Sequence, residues 1–401
     1  MDMRKILELI EETSVPLTEG INSPNIQVMS LEDFVNSEHK DIDEALEEAN
    51  DKEMFGANFS KLSDDELKAY LDRILQKKKS KSDKYNLPYI HGSSIPIVDQ
   101  NGKEYDLDKL RAQITERPKK ILKQNEKMKH SDGSSTIYFN VGLPALRGLA
   151  VNEKNGDFVV VNTCPQAGSC KLLCFAMKGG YVQYKATSEA QTRLVNYLLN
   201  DPDGFMRQLK SEIKEAHDKY SKKNTKVAIR WHDAGDFFSP EYMRAAYSLA
   251  REMPDVDFYA YTKIADVAKA NKPENFKINF SMGSQPSQEK QIDYTVDKHS
   301  KIVPKEVFTD LVKREPIPGK KPNKKGKIPT RMVYKDKQSI DALKQRISHK
   351  YSIKPKTILT YDEMMNKPKG KEMKWNVIVK PGDGDDSANR NDVLGTYLLE
   401  H

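Results

Sequence analysis

Short apolar runs alternate with helical runs between residues 158 and 281, and this alternation restricts the folds open to the chain. Phe158–Asn162 (FVVVN), 227–231 (VAIRW), 256–261 and Phe276–Ser281 are brief and rich in β-branched or aromatic residues. Such runs read as buried strands. Between them, 187–199, 205–217, 240–253 and 266–270 carry helical patterns. Ser239 stands before Pro240 as an N-cap before a proline at the first helical position. Strands that alternate with helices argue for an α/β fold. The expected form is a curled, mostly parallel sheet or partial (β/α) barrel. Reactive groups in such folds lie at the carboxyl ends of the strands. Cys164, Asp233, Asp236, Thr262, Lys263 and Ser281 are expected along that edge.

Charge divides the remainder. Of 401 residues, the first 70 carry a net −12 and the rest +19, which gives +7 overall. Residues 1–90 are read as an acidic, partly disordered or helical extension, with Ser63 and Glu66 as a capping box. Residues 91–300 form the α/β core. Within them Asn101-Gly102 suggests a hairpin, 107–128 a basic helix broken near Pro118, and 136–140 a strand. Residues 301–401 are expected to complete the core. They contain a mobile Pro/Gly/Lys loop at 316–329, a helix at 339–350, a strand at 376–379, and an apolar element at 393–399. No apolar run is long enough to span a membrane, and no signal peptide is read at the N-terminus.

All three cysteines lie in one loop, as Cys164-x5-Cys170-x3-Cys174. Three cysteines this close cannot make a disulfide framework. Gly168 gives the loop freedom to bring the thiolates together. Three thiolates suit an iron–sulfur cluster with one iron left open. Structural zinc wants four ligands, and free cysteines packed as small hydrophobes are the metal-free alternative. His232 can act as a fourth ligand or as a satisfied core histidine. Asp233 and Asp236 follow the 227–231 strand and can serve function or cap the next helix. Lys263 ends the next strand and can hold an anion, or lie at the surface as a helix begins. The run 380–392 alternates Asp and Gly without the register of a calcium loop, so it reads as a flexible polar loop with an Asp–Arg pair.

These blocks carry a resemblance. Thr163-Cys164-Pro165 through Cys174-Phe175-Ala176, His232 to Tyr242 (HDAGDFFSPEY) and Phe258 to Lys263 (FYAYTK) resemble the phage "gene product 88" family, over residues 135–300. The layout is also similar to that of radical S-adenosylmethionine enzymes, in which three cysteines follow the first barrel strand. In those enzymes a Gly-Gly-Glu-like motif after the second strand holds the cofactor's amino group. Here the cysteine spacing differs from C-x3-C-x2-C, and Ala234-Gly235-Asp236 stands at the second motif. The resemblance implies a phage protein with a [4Fe–4S] cluster on Cys164, Cys170 and Cys174, and His232 or a carboxylate at the fourth iron. It implies S-adenosylmethionine near Gly235, Asp236 and Ser281, with Asp233, Asp236 and Lys263 as catalytic candidates. Implied partners are host iron–sulfur assembly machinery and an electron donor, in the cytoplasm of an infected bacterium. Two other readings stay open. One is a zinc-stabilised nucleic-acid-binding protein, suggested by the +19 region, and the other is a virion or host interaction protein.

Overall fold

Eight parallel strands form the main sheet of this computed structural model. The described residues are 28–30 and 106–400, except 125–135, 155, 157, 169, 171–173, 175, 177–184, 320, 323–325, 327, 371 and 385. Among them, β1 (Val28–Ser30), β3 (Arg147–Val151) and β4 (Phe158–Asn162) make a separate antiparallel sheet, ordered β1-β4-β3. The main sheet is built from β2 (Thr136–Val141), β5 (Lys226–Trp231), β6 (Asp257–Thr262), β7 (Phe276–Ser281) and β8 (His299–Val303). It continues with β11 (Ile358–Thr360), β12 (Trp375–Val379) and β13 (Val393–Leu399). From one edge its order is β2-β5-β6-β7-β8-β13-β12-β11. β9 (Val312–Pro316) and β10 (Thr330–Tyr334) form a two-stranded antiparallel ribbon.

The pleat sorts side chains onto two faces. Ile137, Phe139, Val227, Ile229, Trp231, Phe258 and Phe276 join the large apolar cluster on one face. Covering them are α2 (Lys185–Asn200), α3 (Pro202–Ser221), α4 (Pro240–Glu252) and α5 (Ala265–Lys269), while α1 (Leu107–Thr115) packs against α2 and β3. The helices start where the caps direct. The Asp201 side chain accepts from Gly204 N, and Ser239 from Tyr242 N. Phe258 and Phe276 stack with ring centroids 5.7 Å apart. Burying each such ring contributes about 1.5–3 kcal/mol.

The other face is polar and curls inward. Tyr138, Ala228, Tyr259 and Ala388 meet there. Ala388 belongs to α9 (Asp386–Asn389), which lies in the connection from β12 to β13 and packs against β6, β7 and β13. The Asp386 carboxylate accepts from Tyr138 Oη at 2.7 Å and from Tyr361 Oη at 2.5 Å. Tyr138 lies on one edge strand, and Tyr361 directly follows the opposite edge strand. Across a flat sheet of eight strands those edges would stand about 33 Å apart. One carboxylate cannot reach both tyrosines unless the sheet curls. The expected curled parallel sheet is therefore the one observed, with α9 lying along its inside. Tyr361 opens α8 (Tyr361–Met365), α7 (Lys337–Tyr351) packs outside β11 and β13 through Leu343 and Ile347, and the short α6 (Pro286–Glu289) follows β7.

Several expectations change. Phe158–Asn162 is not a strand of the parallel sheet; it pairs antiparallel with Arg147–Val151. Gly156, at φ +78°, turns the chain between them, and its N–H bonds to Asn152 O. The sequence signal, Asn155-Gly156, marks a hairpin. The first parallel strand is instead Thr136–Val141. The basic helix stops at Thr115, and Lys123 then bridges back to Asn140. The run 383–391 is no flexible loop, because Asp386, Ser387, Ala388 and Asn389 are buried. Its Asp–Arg pair is present, as Arg390 and Asp392 bond at 2.7 and 2.8 Å out of solvent. Val28–Ser30, within the acidic extension, adds a strand to β4. The rest of that extension, the hairpin read at Asn101-Gly102 and the capping box at Ser63 lie outside the described residues.

Asp386→Ala leaves two buried hydroxyls unanswered across the seam. It should lower unfolding free energy by about 3–5 kcal/mol, and Tyr361→Phe by about 1.5–3 kcal/mol. Urea titrations of the variants measure both.

Candidate functional site

The loops that leave β2, β5, β6 and β7 meet the cysteine loop at the carboxyl edge of the sheet. Asp236 ties them together. Its backbone N–H donates to Thr163 O at 2.8 Å, beside Cys164. Its Oδ1 accepts from Phe237 N at 2.7 Å and from Thr262 Oγ1 at 2.8 Å. Its Oδ2 accepts from Lys263 N at 2.8 Å. Burial lifts its carboxyl to about 6, while the Lys263 N–H, Thr262 and Phe237 N–H bonds pull it back down. Gly235, beside it, adopts φ +82°, and a Cβ there would stand 2.8 Å from the Cβ of Leu143. Only glycine fits that close approach to the loop after β2.

Lys263 turns toward β7. Its Nζ donates to Ser281 Oγ at 3.0 Å and to Met282 O at 2.9 Å. Gly168 and Cys170 both donate N–H bonds to Gly283 O. A Cβ on Gly168 would come within 2.3 Å of Ser284 O, so the cysteine loop lies directly on this turn. Glu289 braces the same turn from below by accepting from Gly283 N at 2.8 Å and Ser284 N at 3.2 Å.

The three thiols are half-buried. Leu146, at φ +63°, directs its N–H onto Cys164 Sγ at 3.3 Å. Cys174 packs with Ala145, Ala176 and Ala234. The Cys164 thiol is pushed well up, first by burial, then by Asp236 and by Cys174 and Cys170. The Leu146 N–H opposes that shift. Among the described residues, no three His, Cys, Asp or Glu side chains stand in metal-binding geometry.

His232 sits apart from the sulfurs in its contacts. It is buried at φ +64° and lies edge-on to Phe237. Trp231 Nε1 donates to Tyr242 Oη at 2.9 Å, and that hydroxyl lies 2.9 Å from His232 Nε2. The hydroxyl's own proton therefore points to Nε2, which leaves the ring neutral with its proton on Nδ1. Burial, with Arg230 nearby, lowers its pKa to about 3. Asp233 is half-buried on the far side, against Gly142, and its charge acts on Lys123.

The structure brings Asp236, Thr262, Lys263 and Ser281 to the expected edge, whereas Cys164 reaches it from β4 of the antiparallel sheet and not from a parallel strand; hydrogen bonds and charge link them. His232 and Asp233 flank this group. Sequence reasoning missed Thr163, Leu146 and Glu289. Two of these act through backbone groups, which no residue type announces. Met282-Gly283-Ser284 was the available sign of a tight turn.

With this geometry in view, comparison with known proteins identifies the family. Residues 115–349 match the Gene product 88 family. The chain belongs to that family. The match covers more than half of the chain and extends past the cysteine and Asp236 blocks on both sides. It takes in the β9–β10 ribbon, which the sequence reading had left outside. The chain is 31% identical over 158 residues to the "Gene 88 protein" of Mycobacterium phage D29. It is 30% identical over the same length to the "Gene 88 protein" of Mycobacterium phage L5. Each alignment covers 37% of this chain and 59% of the relative. No solved structure matches. Among the described residues, no helix is long and apolar enough to cross a membrane.

The raised pKa of Asp236 makes stability depend on pH. The native state holds this proton more tightly than the unfolded chain, whose carboxyl titrates near 3.8. The resulting stabilisation is complete below pH 4 and is lost as pH rises through about 6. Unfolding free energy of the native sequence, relative to Asp236→Asn, should fall across that window. Denaturant titrations at stepped pH values check it.

Proposed function

We propose that this phage protein binds an iron–sulfur cluster through Cys164, Cys170 and Cys174 and uses it for one-electron chemistry. The observation that carries the reading is the position of the three thiols. They share one loop at the carboxyl edge of a curled parallel sheet, and the Leu146 N–H on Cys164 and the Gly168 and Cys170 N–H bonds to Gly283 O hold that loop in place. The donor set fits such a group. Thiolates are the usual ligands of iron–sulfur clusters, and the Leu146 N–H on Cys164 Sγ is the kind of bond that tunes them. Ala145, Ala176 and Ala234 give the apolar surround that limits water. The proposal is of a site that assembles as the cluster loads. Such a group supplies an electron-transfer centre, with one iron left for a fourth ligand.

The remaining roles follow from the chain's own contacts. Asp236 holds the cysteine loop against the ends of β5 and β6. Lys263 and Glu289 set the turn on which Gly168 and Cys170 rest. For S-adenosylmethionine, Gly235, Asp236 and Ser281 are the proposed contacts. Asp233, Asp236 and Lys263 are the ionisable groups nearest any reacting centre. His232 is the proposed fourth ligand; with Nε2 accepting from Tyr242, ligation would be through Nδ1 and would require that nitrogen to give up its proton. Loading would draw on host assembly machinery and an electron donor, which places the protein in the cytoplasm of the infected cell.

Anaerobic reconstitution tests the reading. The expected result is a brown protein with iron and sulfide in cluster ratio, and near-complete loss of both in Cys170→Ala. A colourless protein after reconstitution, or stoichiometric zinc in its place, would defeat it. Reduced protein that binds and cleaves S-adenosylmethionine would extend the reading to radical chemistry.

A further inference from the structure

Among the described residues, the β9–β10 ribbon is packed at its base. Val312, Met332 and Tyr334 pack against the cluster around Leu343 and Ile347, and Lys335 N bonds to Leu311 O. Beyond that anchor the two strands run out in register from Tyr334↔Val312 to Thr330↔Pro316, and Ile317 N still pairs with Pro329 O. A Cβ built on Gly319 or Gly326 would meet nothing within 4 Å, so the tip stands in solvent. Residues 313–337 hold ten Lys and Arg against two Asp and Glu. Lys313, Arg314, Lys321 and Arg331 are exposed. Lys313 pairs with Glu315 at 2.8 Å, whereas Arg314 and Lys321 form no ion pair among the described residues.

Three classes of partner can be weighed on these features. Pro316, Pro318, Pro322 and Pro329 remove backbone donors along the ribbon and its connection. That composition blunts an edge against strand addition, so a partner that pairs its backbone here is disfavoured. Ile328, 43% exposed, is the one large apolar side chain prominent at the tip among the described residues, too little to insert into a lipid surface. What the ribbon presents is positive charge on a narrow, extended support. The major groove of B-form DNA admits a two-stranded ribbon, and its phosphates flank that groove. The major groove of an A-form RNA duplex is too narrow for side chains to read.

We propose that the β9–β10 ribbon is a DNA-binding arm that lays its cations along the phosphates of duplex DNA without reading sequence. The proposal is independent of the cluster reading, since the arm lies outside the cysteine site. It also assigns a location to the positive charge of the chain. The net charge of the whole protein carries no such information, because the acidic first 70 residues offset it.

The test uses the full chain and a short fluorescent duplex in anisotropy titrations between about 50 and 200 mM salt. The expected result is binding that weakens steeply with salt. Each phosphate contacted adds about 0.9 to the slope of log affinity on log salt. The variant Arg314→Glu/Lys321→Glu/Arg331→Glu should bind about tenfold or more weakly with a shallower slope, at unchanged thermal midpoint. The glutamine triple variant should fall between them. The proposal is overturned if the glutamate variant binds DNA like the native chain. It is also overturned if native binding does not respond to salt, or if duplex RNA or vesicles of anionic phospholipid bind the arm as tightly as DNA.

Discussion

Closure of the sheet depends on one buried carboxylate. Asp386 accepts hydroxyls from both edges of an eight-stranded sheet, and that geometry is incompatible with a flat one. Curling makes the inner face concave and supplies α9 to line it. It also turns the carboxyl ends of β2, β5, β6 and β7 toward a common mouth, where the cysteine loop docks. Buried hydrogen bonds to a charged group are among the stronger ones, so this closure has a large share in fixing the architecture.

A second carboxylate organises the mouth. Asp236 is saturated by its own chain, with two backbone N–H groups and one hydroxyl, and its amide reaches Thr163. The cysteine loop is thereby joined to the ends of two strands at once. The loop also rests on the Gly283 turn, which Lys263 and Glu289 brace from opposite sides. The sulfurs therefore belong to a loop tied at several points. The neutral His232, wedged among Trp231, Phe237 and Tyr242, shows how aromatic packing can fix a ring nitrogen while its other nitrogen has no partner among the described residues.

The sequence revealed the parallel strands between 227 and 281 because each is a short apolar run followed by helical spacing and a clear cap such as Ser239-Pro240. It misled at Phe158–Asn162. A run of β-branched residues looks the same in either kind of sheet, and only the Asn155-Gly156 turn distinguishes them. The polar segment at 383–391 was misread for a related reason. Its aspartates look solvated, yet Asp386 is buried because Tyr138 and Tyr361 arrive from positions remote in sequence. At the candidate site, residue types marked Cys164, Asp236 and Lys263. The Leu146 and Gly283 backbone groups were invisible, since main-chain donors and acceptors leave no trace in composition.

The strand order has a consequence for how the chain assembles. β13, at residues 393–399, inserts between β8 and β12 in the middle of the sheet. Until it arrives, β8 has one bare edge, and about ninety residues separate the two partners. Asp386 also lies only a few residues before β13, so closure of the seam and filling of that gap occur together. On a ribosome, the first five parallel strands would emerge and pair in order, each beside its predecessor. They would then wait as an open half-sheet. The last step is a long-range closure, which carries a high entropic cost and tends to be slow.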